Sequence, residues 1–323
     1  MRVLVTGATG FVGASLVRDL LALDLPVRIL RRPTSPLDLL GADATQVEHA
    51  LGDVTDGETV RAAMRGVTHV IHVAAVVAFG PNRRAWMRRV NVGGTAIVVD
   101  AAREAGVTRL VHTSSIAALG RTAHPDTPID EDAAWTPGPA NTAYAVSKRD
   151  AELEVYRGIA EGLDAVIVNP ALVFGRGRTG EGTQALADRV AAGRMRLAPP
   201  GGTAVVDVRD VAAGLIAAME RGQVGRRTLL AAENLAWTEI LSTLAQAMGV
   251  APPRATVGAR TLQAAGTLAD VWGRLTRTDA GLSRETARTA SAMHRYANDR
   301  AIEELGLTFR PFAETARWMA GGV

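Results

Sequence analysis

Cysteine is absent from this 323-residue chain, and aromatic residues make up only 4% of it. The absence of cysteine excludes disulfide bonds, thiolate nucleophiles and cysteine-ligated metals. No apolar run approaches the roughly 18 residues that a membrane-spanning helix needs. Met1 leads directly into a short apolar strand rather than into a secretory leader. We therefore expect a cytoplasmic protein with no membrane span.

The chain also lacks a strong excess of charge. Its net charge is +3, and the arginines are dispersed without forming a basic tract. This pattern disfavours nucleic acid as a partner. His69 and His72 have no further histidine or carboxylate beside them at metal-ligand spacing, so we interpret them as sheet residues and expect no metal site.

Lysine is nearly absent as well. Of the 36 residues counted as Lys or Arg, Lys148 is the single lysine and the other 35 are arginines. Tyr144 lies four residues earlier, a spacing that places both side chains on one face of a helix. A cation beside a phenol lowers the phenol pKa from about 10 towards neutrality. The pair therefore indicates a proton donor and acceptor for a carbonyl or alcohol, the alternative being a surface tyrosine and an unrelated lysine.

A glycine-rich turn follows the first strand. Gly7, Gly10 and Gly13 form a G-x-x-G-x-x-G pattern between that strand and a helix, which is the context of a dinucleotide-binding turn. Gly7 permits the tight turn, Gly10 lets the backbone approach a pyrophosphate, and Gly13 allows close helix packing. The alternative is a glycine turn without a ligand.

Short apolar strands alternate with helices through residues 1–175. The alternation predicts an α/β fold of the Rossmann type, with a doubly wound parallel sheet. We assign residues 1–175 to this dinucleotide-binding domain and 176–323 to a smaller, mostly helical substrate-binding region. Arg176 to Gly182 is interpreted as a mobile lid between them. Strands are predicted at 2–6, 27–30, 45–51, 69–73, 109–113 and 165–168, and later helices near 183–193, 208–221, 237–248, 259–276 and 312–320.

The second strand ends in Arg31 and Arg32, where an NAD-binding unit would carry an acidic residue. Arginine suits the 2′-phosphate of NADP, so the pair favours NADP(H), with NAD(H) possible. A solvated loop in an arginine-rich protein is the alternative. Asp53 follows the third strand and either bonds the adenine amino group or caps the next turn.

Other strand ends carry small or hydroxyl residues. Ala74 and Ala75 follow the fourth strand, and Ser114 and Ser115 follow the fifth. In an open parallel sheet, ligands lie at these carboxyl ends, and a serine opposite the Tyr144 helix would hold a carbonyl oxygen. Asn91, in a helix predicted over 82–105, is unfavourable there unless it bonds something, so it is a candidate buttress of the site. The acidic residues 130–132 are interpreted as solvated.

These motifs together resemble the extended short-chain dehydrogenases/reductases, and most closely the dihydroflavonol-reductase-like and hopanoid-associated epimerase-like group. The resemblance spans nearly the whole chain and rests on T-G-A-T-G-F-V-G at 6–13, G-D-V at 52–54, N-V-G-G-T at 91–95, T-S-S at 113–115, Y-A-V-S-K at 144–148, N-P-A-L-V-F-G at 169–175 and V-D-V-R-D-V-A at 206–212. One departure is Asp207, where sugar-nucleotide enzymes usually carry histidine.

The resemblance implies a site of Ser115, Tyr144 and Lys148. Tyr144 would exchange a proton with the substrate oxygen, Ser115 would hold that oxygen, and Lys148 would bond the nicotinamide ribose. The cofactor-binding set implied is Gly7, Thr9, Gly10, Phe11, Val12, Arg31, Arg32, Asp53, Val54, Ala74, Ala75, Tyr144, Lys148, Pro170 and Val173. The implied substrate contacts are Val76, Phe79, Ser115, Ile116 and Tyr144.

We therefore predict an NADPH-dependent enzyme that reduces a ketone or aldehyde, or oxidises the matching alcohol. The first alternative is an NAD(P)-dependent epimerase or dehydratase acting on a sugar or nucleotide sugar. The second is a non-catalytic nucleotide-sensing or scaffold protein. A homodimer through helices 82–105 and 141–162 is expected by analogy with relatives.

Overall fold

The computed structural model describes residues 1–77, 83–120, 127–138, 141–276 and 283–321, with backbone alone for 271–276. Within these residues, seven strands form one parallel sheet in the order β10-β6-β5-β4-β1-β2-β3. The predicted doubly wound parallel sheet is confirmed. The strands are β1 Val3–Thr6, β2 Val27–Arg31, β3 Glu48–Leu51, β4 His69–His72, β5 Arg109–Thr113, β6 Ala165–Pro170 and β10 Arg227–Leu230.

Helices cover both faces of this sheet, which explains why its strands are continuous apolar runs. Successive strand residues point to opposite faces, so Leu4 and Val5 lie in different core clusters. Helices α1 and α7 pack on one face, and α2, α4 and α5 pack on the other. Their bounds are α1 Phe11–Ala22, α2 Gly57–Met64, α4 Gly94–Glu104, α5 Ala143–Ala160 and α7 Val208–Arg221.

The predicted helix over 82–105 contains one wide turn. Helix α3, Arg84–Arg88, continues through a π turn at Arg89–Gly93 into α4 without leaving helical backbone angles. Residue 82 lies outside the described residues. Asn91 sits in the π turn and is buried. A π turn is typical of functional positions, and here it directs the Asn91 side chain towards the sheet edge.

The second half of the chain is mostly helical, as predicted, around a small core in which the Phe174 and Phe312 rings pack edge to face at 4.9 Å. A three-stranded sheet of order β11-β9-β7 and a two-stranded pair β12-β8 accompany the helices. The short strands are β7 Leu172–Phe174, β8 Leu197–Ala198, β9 Gly202–Asp207, β11 Glu233–Ala236 and β12 Ala255–Thr256. The helices are α6 Gly182–Ala191, α8 Trp237–Ala247, α9 Ala259–Thr276, α10 Arg284–Ser291, α11 Asp299–Leu305 and α12 Phe312–Met319.

Helix α10 is absent from the sequence predictions for a physical reason. Only Ala287 is buried along it, so no apolar periodicity marks it. It begins at a reciprocal cap, in which Ser283 N donates to Thr286 Oγ1 at 2.8 Å and Thr286 N donates to Ser283 Oγ at 3.0 Å.

The boundary at Gly175 stays a prediction. After it the chain returns to the main sheet twice, as α7 on one face and as β10 on the edge beside β6. No helix within the described ranges is both long and apolar enough to cross a bilayer.

The glycine turn has the geometry that its sequence predicts. Gly7 has φ of +71°, and a Cβ there would lie 2.6 Å from the Ala74 nitrogen. A Cβ on Gly13 would overlap the Gly7 carbonyl oxygen, whereas one on Gly10 would meet only that oxygen, at 3.3 Å. Gly13 is therefore required by helix packing, while a methyl group on Gly10 would need only a small shift of the Gly7 carbonyl.

We expect Gly13→Ala to lower the free energy of unfolding by about 1–3 kcal/mol, because the added methyl group overpacks the turn. Gly10→Ala should change it by less than about 1 kcal/mol. Urea unfolding followed by circular dichroism measures both variants. Equal losses for the two would contradict the different packing of these glycines.

Candidate active site

The residues that the sequence singled out meet at the carboxyl edge of the main sheet. Because the strands are parallel, the glycine turn after β1, Ala74 after β4, Ser115 after β5 and Pro170 at the end of β6 all lie at this edge. Helix α5 packs against β6 and against the turn that follows Ser115, which brings Tyr144 to the same place.

Helix α5 is held tightly at both ends of its functional face. Thr142 Oγ1 accepts the Ala145 N–H at 3.1 Å and begins the helix. Gly158 lies against Val99 of α4 with no space for a Cβ. Between them, the Lys148 Nζ donates to the Thr113 carbonyl oxygen at 2.8 Å and is buried. The only lysine in the chain therefore ties α5 to the end of β5.

Burial controls the protonation of this site. It lowers the pKa of Lys148 to about 8, opposed by the nearby Glu152 carboxylate. It raises the pKa of Tyr144, and a hydrogen bond with Ser115 lowers that pKa in part. The predicted lowering of the Tyr144 pKa by Lys148 is wrong for this structure, because desolvation dominates and the ammonium contacts the Thr113 carbonyl. A neutral phenol at pH 7 suits a proton donor.

The two neighbouring serines have different partners. Ser114 Oγ donates to the buried carboxylate of Glu152 at 2.6 Å, so its hydroxyl points towards helix α5. Ser115 Oγ accepts the Ala117 N–H at 3.2 Å and lies beside the Tyr144 phenol. Ser115 is thus the serine beside the Tyr144 hydroxyl.

Asn91 fixes the chain beyond β4. Its Oδ1 accepts the Val76 N–H at 2.7 Å, and its Nδ2 donates to the Val76 carbonyl at 2.9 Å and to Ser147 Oγ at 3.0 Å. The predicted buttress is confirmed in this sense: one amide joins the strand end to α5.

A directional hydrogen-bond chain lies beneath the site. Thr95 donates to the Asn91 carbonyl at 2.6 Å, so it accepts from His72 Nε2 at 3.0 Å, and His72 Nδ1 accepts from Thr6 at 2.6 Å. Burial and the Lys148 charge lower the pKa of His72 to about 3. His72 is a neutral structural residue, and no group of His, Asp or Glu in the described ranges could hold a metal ion.

The glycine turn fits a pyrophosphate. Gly10 caps α1 without any side-chain cap, so the N–H groups of the first helical turn have no side-chain acceptor. The positive end of the helix dipole also favours an anion there. Thr9, Phe11 and Val12 flank this position and are partly exposed. These features fit a dinucleotide, for which Gly7, Gly10 and their neighbours would form the cradle.

The end of β2 presents the two predicted arginines differently. Arg31 Nε donates to His49 Nδ1 at 2.7 Å, and His49 Nε2 donates to the Ala44 carbonyl at 2.8 Å. Arg32 is exposed. Asp53 Oδ1 accepts both the N–H and the hydroxyl of Thr55, while Asp56 is the residue that caps α2. Asp53 therefore caps the turn that follows it, as one alternative predicted, although it does not cap α2; a bond to adenine stays a prediction.

The segment predicted as a mobile lid is bonded to the glycine turn. The Arg178 guanidinium donates to the Thr9 carbonyl at 2.8 Å and to Asp38 at 2.9 Å. Gly177 N donates to Gln184 Oε1 at 3.2 Å. Sequence reasoning missed Arg178 and Asp38, because a salt bridge between residues 140 positions apart leaves no local pattern.

The predicted substrate contacts stay predictions, and the structure places them unequally. Val76 is partly exposed at the sheet edge, as is Val173 of the predicted cofactor-binding set. Ile116 is only 9% exposed and belongs to the main core, so it offers little surface to a ligand. Pro170 is buried. Phe79 lies outside the described residues.

The acidic residues 130–132 are not all solvated, which corrects the sequence interpretation. Glu131 is buried, and its Oε1 accepts the Leu229 N–H of β10 at 2.9 Å. Arg300 lies 2.8 Å from Asp132 and 3.8 Å from Glu131. Glu131 thus accepts a backbone N–H group of β10 at the outer edge of the sheet. Only the folded structure reveals this contact, because the two residues are far apart in the sequence.

Comparisons with known proteins agree with this architecture. The NAD dependent epimerase/dehydratase family matches residues 3–231. The chain is 35% identical to sterol demethylase protein B of Methylococcus capsulatus over 98% of each chain. It is 32% identical to cinnamoyl-CoA reductase 1 of Oryza sativa subsp. japonica over 75% of this chain and 74% of the relative. The crystal structure of gox2253 is 32% identical with a TM-score of 0.86, covering 99% of this chain and 96% of that one.

The fold, the site and these relatives define an NAD(P)-dependent enzyme of the extended short-chain dehydrogenase/reductase class. Within that class, the chain belongs to the NAD dependent epimerase/dehydratase family. The resemblance carried by the sequence motifs is confirmed.

We expect Ser115→Ala to lower kcat by about 10²–10³-fold, because a donor to the substrate oxygen is removed. Ser114→Ala should lower the free energy of unfolding by about 1–3 kcal/mol, since it removes a donor to a buried carboxylate, while keeping most turnover. Steady-state rates and urea unfolding of both variants measure this. The reverse pattern would move the substrate-binding role to Ser114.

Proposed function

We propose that this chain is an NADPH-dependent oxidoreductase that reduces a ketone or aldehyde, or oxidises the matching alcohol. The observation that carries the proposal is the position of Tyr144. Its phenol lies beside the Ser115 hydroxyl, one helical turn from the buried Lys148 ammonium, and burial raises its pKa. A neutral phenol next to a second hydroxyl can hold a carbonyl oxygen and supply its proton.

Each residue then has one task. When bound, the nicotinamide supplies or accepts the hydride. Ser115 and Tyr144 would hold the substrate oxygen, and Tyr144 would give it a proton. Lys148 would bond the nicotinamide ribose. Val54, Ala74, Ala75, Pro170 and Val173 would line the cofactor.

The arginines at the end of β2 support NADP(H) over NAD(H). Arg31 is held by His49 at the adenosine side of the sheet edge, and Arg32 is exposed beside it. Two guanidinium groups there suit a 2′-phosphate, and an acidic residue, which would suit a free ribose, is missing from this strand end. The positive charge at the end of β2 therefore favours NADP(H).

The substrate we propose is small and largely apolar. Val76, a predicted substrate contact, is an apolar residue that is partly exposed at the site. Two relatives are named for a sterol and for cinnamoyl-CoA reduction, and the sterol skeleton and the cinnamoyl group are both apolar. A homodimer is proposed through α5, whose Val146 and Leu153 are 39% and 49% exposed.

The family is named for a second candidate function, that of an epimerase or dehydratase. Such an enzyme would use the same Tyr144 but return the hydride to its own substrate. Arg31 and Arg32 favour the reductase, since a transiently used cofactor needs no exchange with an NADPH pool. A non-catalytic scaffold would not need a serine and a phenol placed together.

We expect Tyr144→Phe to lose about 10²–10⁴-fold in kcat while it retains cofactor binding, because only the proton donor is removed. Turnover is measured with NADPH and a panel of aldehydes, aryl ketones and steroid ketones, and binding by NADPH fluorescence. Tyr156→Phe, which removes a hydroxyl from the same helix away from Ser115, is the matched control and should keep wild-type turnover. Wild-type rates in Tyr144→Phe would refute the proposed mechanism.

A further inference from the structure

The segment predicted as a lid, residues 176–182, fastens the second half of the chain to the glycine turn. It follows β7 and leads into α6. Within it, Arg178 donates from Nη2 to the Thr9 carbonyl oxygen at 2.8 Å and from Nε to both carboxylate oxygens of Asp38 at 2.9 Å. Only 18% of the Arg178 side chain is exposed, against 54% of the Asp38 side chain. The proposed mechanism does not use these contacts.

The partners of Arg178 lie in neighbouring segments at the carboxyl edge of the main sheet. Thr9 is in the glycine turn after β1, whereas Asp38 and Pro36 are in the loop after β2. Strands β1 and β2 pair in parallel, so both segments begin at the same edge. Arg178 Nη2 also lies 3.4 Å from the Pro36 carbonyl oxygen. One planar guanidinium therefore joins the lid segment, the glycine turn and the loop after β2.

The bond to Thr9 fixes one peptide group of the glycine turn. The Thr9 carbonyl accepts from Arg178, and the N–H of the same peptide, on Gly10, donates to the Gly7 carbonyl at 3.0 Å. Because the peptide is planar, these two bonds hold it from both sides. Helix α1 begins one residue later, and the N–H groups of its first turn form the candidate pyrophosphate site. Arg178 thereby holds the backbone beside this site in one orientation.

The rest of the lid segment is attached to the second half of the chain. Gly180 N donates to Asp188 Oδ2 at 2.9 Å, and Arg176 Nε donates to the Trp318 carbonyl at 2.8 Å. Gly180 and Gly182 have φ of +81° and +50°, and a Cβ on either would meet nothing within 4 Å. Glycine there serves the backbone conformation rather than close packing. Arg178 is the residue that hydrogen-bonds this segment to the glycine turn.

We propose that Arg178 is a positioning residue for the bound dinucleotide: it latches the lid segment onto the glycine turn and the loop after β2, and opening of this latch sets the rate at which the cofactor leaves. A partly exposed ion pair is weak enough to open during turnover. The proposal rests on the dinucleotide bound at the glycine turn in the proposed function, but not on the reductase reaction.

Arg178→Ala removes the latch. We expect the rate constant for NADPH dissociation to rise about 10-fold, because a charged donor to the glycine turn is lost, while the rate constant for association does not fall. Stopped-flow mixing of the NADPH complex with excess NADP⁺, followed by NADPH fluorescence, measures dissociation without any substrate. The matched control is Arg189→Ala, which removes an exposed arginine from α6 and should release NADPH at the wild-type rate. An unchanged rate in Arg178→Ala, or an equal rise in both variants, would overturn the proposal.

Asp38→Asn distinguishes the latch from a direct contact between Arg178 and the 2′-phosphate. Asp38 is half exposed, so its replacement leaves the core intact. Loss of its charge weakens the latch, and NADPH dissociation should become about two- to fivefold faster. If Arg178 instead bound the phosphate, removing a competing carboxylate would slow dissociation. Slower dissociation from Asp38→Asn would therefore contradict the latch.

The choice between the two cofactors gives a further readout. Since the latch acts on the glycine turn, Arg178→Ala should weaken NADPH and NADH by the same factor in fluorescence titrations. A selective loss of NADPH affinity would contradict the latch. If the protein proves to be an epimerase that retains NAD, the same variant should release that NAD faster. Failure of the reductase proposal and failure of the latch are therefore distinguishable.

Discussion

Burying one ammonium group is the constraint on which the site depends. Removing a lysine charge from water is costly unless close polar partners compensate it. Here the Thr113 carbonyl oxygen accepts a hydrogen bond from Lys148 at 2.8 Å. The same hydrogen bond fixes α5 against the end of β5. It therefore also holds Tyr144 of α5 near Ser115, which follows β5.

The two faces of the sheet differ in the side chains that they carry at the strand ends. Towards α1 and α7 the strand ends are apolar, whereas towards α4 and α5 they carry polar side chains in adjacent strands, from Thr6 through His72 and His112 to Asn169. Buried polar networks hold a unique geometry when their members are satisfied. Thr6 and His72 are hydrogen-bonded in this layer and so have a fixed geometry, whereas neither ring nitrogen of His112 has a hydrogen-bond partner among the described residues.

Sequence patterns predicted the parts of this molecule that depend on local chemistry. The glycine turn needs Gly7 at positive φ and Gly13 in close packing, and both requirements are visible as residue types at fixed spacing. The Tyr144–Lys148 spacing was readable because an α-helix repeats every 3.6 residues.

What the sequence did not reveal depends on contacts across the chain. The direction of the Tyr144 pKa follows from burial, which spacing alone does not report. Glu131 was taken for a solvated residue because its partner, Leu229, lies 98 positions away. The Arg178–Asp38 salt bridge beside the glycine turn was missed for the same reason, since its two residues lie 140 positions apart. These features require the packed structure.

The central functional claim is that the enzyme exchanges NADPH at each turnover. Identifying the nucleotide that the purified protein carries tests this claim most directly. Freshly purified protein is denatured, any released nucleotide is identified, and the folded protein is titrated with NADPH and NADH. We expect little or no retained nucleotide and far tighter binding of NADPH, since Arg31 and Arg32 stand at the end of β2. Stoichiometric NAD released from the protein would contradict the reductase and favour an epimerase or dehydratase.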